Sequence, residues 1–176
     1  DLARTIARLQ RDGAREFYEG ETARLMAAEM ERGGGLLEAG DLARYRAVER
    51  PVLRGTYRGH EILTMPPPSS GGVVLLQVLG MLEGHDLASM GPQSAARIHL
   101  TIEALRRGFR DRAAYLGDPD FSEMPVAALL APAYLRARGA EIDPKRATPS
   151  DQVSPGLEVR VGRPVAPDRE SRETTH

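Results

Sequence analysis

The string Pro66-Pro67-Pro68-Ser69-Ser70-Gly71-Gly72 sets hydroxyls and glycines directly before an apolar run, Val73–Leu76. Free N–H groups at a helix start, with small residues around them, can cradle an anion. The same string also reads as a rigid strand exit, a serine N-cap and a close helix approach. No Gly-Lys-Ser/Thr follows it, so a nucleotide loop is not supported. Asp118 and Asp120, in Gly-Asp-Pro-Asp-Phe, could be an acid/base pair or calcium ligands. Two carboxylates around a proline are more often turn residues that bond their own backbone. Arg106, Arg107, Arg110 and Arg112 could meet a phosphate, yet Glu103 and Asp111 are interleaved with them. A solvated or ion-paired helix face is the plainer reading.

His60, His85, His99 and His176 have no spacing typical of a metal site, and the chain has no cysteine. Thiolate-bound metal, disulfides and a cysteine nucleophile are therefore excluded, and neither a metal nor a cofactor is expected. The final residues, Glu173-Thr174-Thr175-His176, read as a frayed terminus on composition alone.

These residues sit in a chain of 176, the length of about one ordinary domain, with 41% hydrophobic and 28% charged residues. Those are globular proportions. Twenty-four basic against twenty-five acidic side chains leave a net charge of -1, which argues against a nucleic-acid binder. The apolar run Val73–Leu76 is far short of the ~20 residues of a membrane span. No leader precedes Asp1, and the chain does not start with Met, so a processed form or a piece of a longer polypeptide is expected.

Periodicity supplies the elements that must position the candidates. Leu2, Ile6 and Leu9 mark a first helix stopped by Gly13. A short turn carries Phe17 and Tyr18 to Gly20, and a second helix ends at Gly33-Gly34-Gly35. Asp41 N-caps a brief helix through Tyr45. Val48–Gly55 and Tyr57–Met65 alternate as a β-hairpin closed by the three prolines. A helix buried on most sides runs from Val73 to about Glu83. The next, from about Ser94 to Tyr115, is expected to bury Ile98, Ile102, Leu105 and Phe109 and to turn its arginines outward. Val126–Arg138 is a last helical patch divided by Pro132. The resulting class is α+β, mainly helical with one β-hairpin and a long irregular C-terminal tail. The expected organisation is a helical body over 1–138 with the hairpin at 48–65. Prolines from Gly139 onward make 139–176 a tail, extended over a partner or disordered.

Several strings, in order, resemble the γ-glutamyltranspeptidases, the γ-glutamyltransferase/glutathione hydrolase family. They are Glu16-Phe17-Tyr18-Glu19-Gly20, Gly34-Gly35-Leu36 with Asp41-Leu42-Ala43, Tyr57-Arg58-Gly59, and Met65 through Gly72. Asp111-Arg112, then Tyr115 through Phe121, and finally Thr174-Thr175-His176 complete the set. The resemblance implies a partial N-terminal-nucleophile hydrolase fold, the C-terminal half of the family's large subunit running just past its self-cleavage point. By the same resemblance Thr174 is the nucleophile, freed by cleavage of the Glu173–Thr174 bond. A freed α-amino group, with a reference pKa near 7.7–8.0, can then serve as base to the hydroxyl of its own residue. The implied function is transfer or hydrolysis of γ-glutamyl groups of glutathione-like donors, in the periplasm or outside the cell, with no nucleic acid and no membrane. The implied partner is the remainder of the family's chain, the small subunit, and the 176 residues alone are expected to be inactive. The alternative is a stand-alone, non-catalytic remnant acting as a binding or structural module.

Overall fold

The computed structural model describes residues 1–158. The chain divides into two units, Asp1–Glu49 and Arg50–His176.

The first unit is four helices: α1 (Leu2–Asp12), α2 (Ala14–Glu19), α3 (Glu21–Gly33) and α4 (Ala39–Arg44). Gly13, at φ 68°, ends α1 in a backbone region that favours glycine. The segment expected to be a turn, Phe17-Tyr18, lies within α2. Its Glu16 explains why. The buried Glu16 carboxylate accepts the backbone N–H groups of Glu21 (3.1 Å) and Thr22 (3.0 Å), so it caps α3 from outside that helix. Arg8 donates to the same carboxylate at 3.1 Å. A Cβ at Gly20 would strike the Glu16 carboxylate, so the joint between α2 and α3 requires glycine. Asp41 is not the N-cap of α4, as expected, but stands one turn inside it. Glu38 holds the N-cap position, and its N–H donates to the Asp41 carboxylate at 2.9 Å.

In the second unit, β1 (Leu53–Tyr57) and β2 (His60–Thr64) pair antiparallel, from Leu53 opposite Thr64 to Tyr57 opposite His60. Arg58 and Gly59 close the hairpin with φ of 49° and 80°, the sign pattern of a tight two-residue turn. Four helices follow: α5 (Gly71–Leu82), α6 (Ala95–Tyr115), α7 (Val126–Leu129) and α8 (Pro132–Ala140). α5 is the axis of the core, with β1, α6 and α8 against it. Val74, Val78, Met81 and Leu82 of α5 pack with Leu100 and Ala104 of α6; Val73, Tyr115 and Leu129 form a second cluster. Helix α8 approaches α5 at glycine: a Cβ at Gly139 would come within 2.8 Å of the Met81 carbonyl oxygen.

A further expectation is corrected. Ile98, Ile102, Leu105 and Phe109 are not the buried face of α6, being 48, 44, 37 and 53% exposed. The buried face carries Leu100, Glu103, Ala104, Arg107, Gly108, Asp111 and Tyr115. The charged side chains of that face go inward because each meets a partner there. Beyond α8, which runs to Ala140, residues 141–158 lie on α6 of the same chain. Apart from a 3-10 turn at Ser150–Gln152 this stretch is irregular, but Ile142 and Val153 are buried. Its prolines exclude a helix or strand without excluding packing, because side chains of α6 take over the bonding a ladder would supply.

Candidate functional site

Thr174, Glu173, Thr175 and His176 lie outside the described residues. The other sequence candidates do not form one cluster, although Ser70 and Arg112 meet. The proline-serine-glycine string is a tight strand-to-helix joint: a Cβ at Gly72 would strike the Met65 carbonyl oxygen. Ser70 takes the N-cap position of α5, but its hydroxyl accepts from Arg112 Nε at 2.8 Å instead of capping the helix. Asp118 caps its own turn, accepting from the Asp120 N–H at 3.0 Å, and Asp120 pairs with Arg50 at 2.6 Å. His99 Nε2 lies 2.7 Å from the Asp143 carbonyl oxygen. Among the described residues no three potential metal ligands cluster.

The chemistry that is assembled belongs to α6. Glu103 and Asp111, eight positions apart and so two turns along one face, are both fully buried. Arg107 Nη1 donates to Glu103 at 2.9 Å, and Arg106 joins the same carboxylate at 3.0 Å. Asp111 is enclosed by donors from two other helices and from the C-terminal segment. Gln77 Nε2 of α5 donates to it at 3.1 Å. From α8, Tyr134 donates its phenol proton at 2.5 Å and Arg138 its guanidinium at 3.1 Å. An ion pair this deep is costly to form, and removing one partner leaves a charge stranded.

The remaining capacity of both carboxylates goes to the C-terminal segment. Glu103 accepts the Thr148 N–H at 3.1 Å, and Asp111 accepts the Gly156 N–H at 3.0 Å. Arg106 also donates to the Thr148 carbonyl, and Arg138 donates to the Ser154 carbonyl at 2.5 Å. The Tyr115 hydroxyl accepts the Leu157 N–H at 2.9 Å and donates to the Leu157 carbonyl. From Asp143 the contacts climb in order along α6: His99, then Glu103 and Arg106, then Asp111, then Tyr115. The segment therefore runs parallel to α6 for about 24 Å, at 1.5 Å per helical residue.

Electrostatics follow from this enclosure. Burial raises the Glu103 carboxyl, but hydrogen bonds from Thr148 and Arg107 outweigh it and hold the group below its usual value. Burial, and then the bond to Asp111, push the Tyr134 phenol well above its ordinary value. Burial opposes the Arg138 charge, yet Asp111 and Glu141 hold it more firmly protonated than usual. Sequence reasoning missed Gln77, Tyr134 and Arg138, whose partner Asp111 is far away in sequence. The eight-residue spacing of Glu103 and Asp111, with Tyr115 four further on, was the available signal.

The whole chain, residues 1–176, matches the family described as Gamma-glutamyltranspeptidase. A glutathione hydrolase proenzyme of Pseudomonas aeruginosa is 46% identical over 160 residues, covering 90% of this chain and 29% of the relative. That of Escherichia coli is 41% identical over all 176 residues, again 29% of its own length. Among solved structures, γ-glutamyltranspeptidase from Pseudomonas nitroreducens complexed with L-DON superimposes with a TM-score of 0.78 at 43% identity, covering 89% of this chain and 48% of that one. The chain belongs to the γ-glutamyltranspeptidase family. It spans about 29% of the length of those curated relatives.

Proposed function

We propose that this chain is the part of a γ-glutamyltranspeptidase proenzyme that carries its self-cleavage site, within a partial N-terminal-nucleophile hydrolase fold. The reading is supported above all by the 41% identity to the Escherichia coli glutathione hydrolase proenzyme, which extends over all 176 residues and so through Thr174-Thr175-His176. The Thr174 hydroxyl attacks the Glu173 carbonyl carbon. Collapse of the oxyanion expels the Thr174 nitrogen and leaves an ester, and water then releases the Glu173 carboxylate and a free Thr174 amine. That amine takes the proton of its own hydroxyl as the oxygen attacks a γ-glutamyl carbonyl, then gives it to the donor's departing amine as the amide C–N bond breaks. The γ-glutamyl ester passes to water or to an amino acid or peptide, regenerating the hydroxyl. Both reactions need donors for an oxyanion, each worth 10²–10³ in rate. On this reading those donors and the remaining substrate contacts come from a small subunit, in the periplasm or outside the cell.

Turnover of a γ-glutamyl anilide tests the proposal. The full-length polypeptide carrying this segment is expected to release the aniline, its Thr174→Ala variant is not, and the 176 residues alone are not. Undiminished turnover by Thr174→Ala would overturn it. A non-catalytic binding module is the competing reading, favoured by the exposed apolar face of α6 at Ile98, Ile102, Leu105 and Phe109. A full-length polypeptide that folds without turning over would support it.

A further inference from the structure

We infer that the exposed apolar stripe of α6 is the docking face of an acid-flanked amphipathic helix, supplied by the same polypeptide outside these 176 residues. The inference rests on the reading of this chain as one segment of a proenzyme. Ile98, Ile102, Leu105 and Phe109 follow one another at steps of four, three and four residues, and all are exposed. Steps averaging about 3.5 residues form the seam that one helix offers to another. The seam runs for about 16 Å, at ~1.5 Å per residue. On the opposite side Leu100, Ala104 and Gly108 face α5, so α6 is packed along one side and open along the other.

Area and charge choose the occupant. The four side chains leave on the order of 300 Å² open, against the ~800 Å² per partner of a stable complex between separate proteins. That is too little to hold a second copy, but enough for a helix that connection through one chain keeps at high local concentration. The curated relatives have the length to supply it, since this chain spans 29% of theirs. The two carboxylates of α6, Glu103 and Asp111, are both buried. The charges that α6 sets beside the seam are therefore arginines, Arg106 on one side and Arg112 on the other. The Arg112 guanidinium stands 5.8 Å from the Phe109 ring centroid. Acidic residues flanking the apolar positions of the incoming helix meet both cations.

Photo-crosslinking of the full-length polypeptide tests the docking. Phe109→p-benzoylphenylalanine keeps an aromatic ring at a half-exposed position and is expected to fold, with circular dichroism as the check. On illumination it is expected to capture a peptide of the same polypeptide from outside residues 1–176, with apolar residues three and four apart and acidic neighbours. Capture within residues 1–176, capture of a second copy, or a peptide without that pattern would overturn the inference. Ile102→Cys gives a second readout, since these residues contain no cysteine. Its thiol is expected to be labelled slower by about tenfold or more in the folded polypeptide than in urea. Equal rates would overturn the docking whether or not a peptide is captured. Turnover of the γ-glutamyl anilide keeps the two readings apart. Rapid labelling in a polypeptide that turns over strikes the docking alone, and slow labelling without turnover strikes the reading of Thr174 alone.

Discussion

The Gly156 N–H donates to Asp111 Oδ1 at 3.0 Å across forty-five positions of sequence. One bond thus ties the last described stretch of chain to the C-terminal part of α6, and it does so through a carboxylate that Arg138 already holds. Asp111 links α5, α6, α8 and the C-terminal segment at one point.

Removing that link should be costly. Asp111→Ala strands the Arg138 guanidinium, which is buried, and is expected to lower stability by about 3–5 kcal/mol. Denaturant unfolding of the chain measures it. A loss under about 1 kcal/mol, the size of an ordinary surface substitution, would mean that water or Glu141 compensates Arg138.

Phe109→Ala should do little. Its ring is half exposed, with Arg112 5.8 Å from the ring centroid, so a loss within about 1 kcal/mol is expected rather than the 3–5 kcal/mol of a core phenylalanine. Unfolding of the same chain tests this, and a core-sized loss would show that the face is covered in solution.

Gly72→Ala should destabilise by about 1–3 kcal/mol, because the new methyl meets the Met65 carbonyl and the Thr64 side chain at the start of α5. A shift in melting temperature of several degrees is the expected sign. An unchanged melting temperature would mean that the joint between β2 and α5 yields freely.

Acid should loosen the segment on α6. The Glu103 carboxyl is held below its ordinary value in the folded chain, so its contribution is complete above the unfolded value of about 4.3 and is lost as pH falls through the folded one. Protection of the Thr148 amide, corrected for intrinsic exchange, is therefore expected to be flat from about pH 5 to 8 and to fall in stronger acid. Glu103→Gln should flatten that acid dependence. Protection that falls equally in Glu103→Gln would assign the effect to other carboxylates.

Much of this fold was legible because it is locally encoded. The hairpin announced itself in Arg58-Gly59 between alternating strands, and α5 in its unbroken apolar run after Gly71-Gly72. The orientation of α6 was not legible. Hydropathy assigns Ile98, Ile102, Leu105 and Phe109 inward and the charges outward, whereas the chain satisfies Glu103 with Arg107 four residues on and Asp111 with Arg138 twenty-seven residues on. The second partner is invisible to any periodicity. Glu16 hid in the same way, since a carboxylate that caps the next helix looks like any surface glutamate until the turn at Gly20 brings it there. The proposed nucleophile Thr174 is legible only through resemblance, and the enclosure of Asp111 by Gln77, Tyr134 and Arg138 not at all.

The most direct measurement is the mass and new N-terminus of the products formed when the full-length polypeptide is purified and incubated. The account predicts two fragments, the smaller beginning at Thr174, and a single uncleaved chain for Thr174→Ala. Cleavage at another bond, or cleavage that persists in Thr174→Ala, would contradict it.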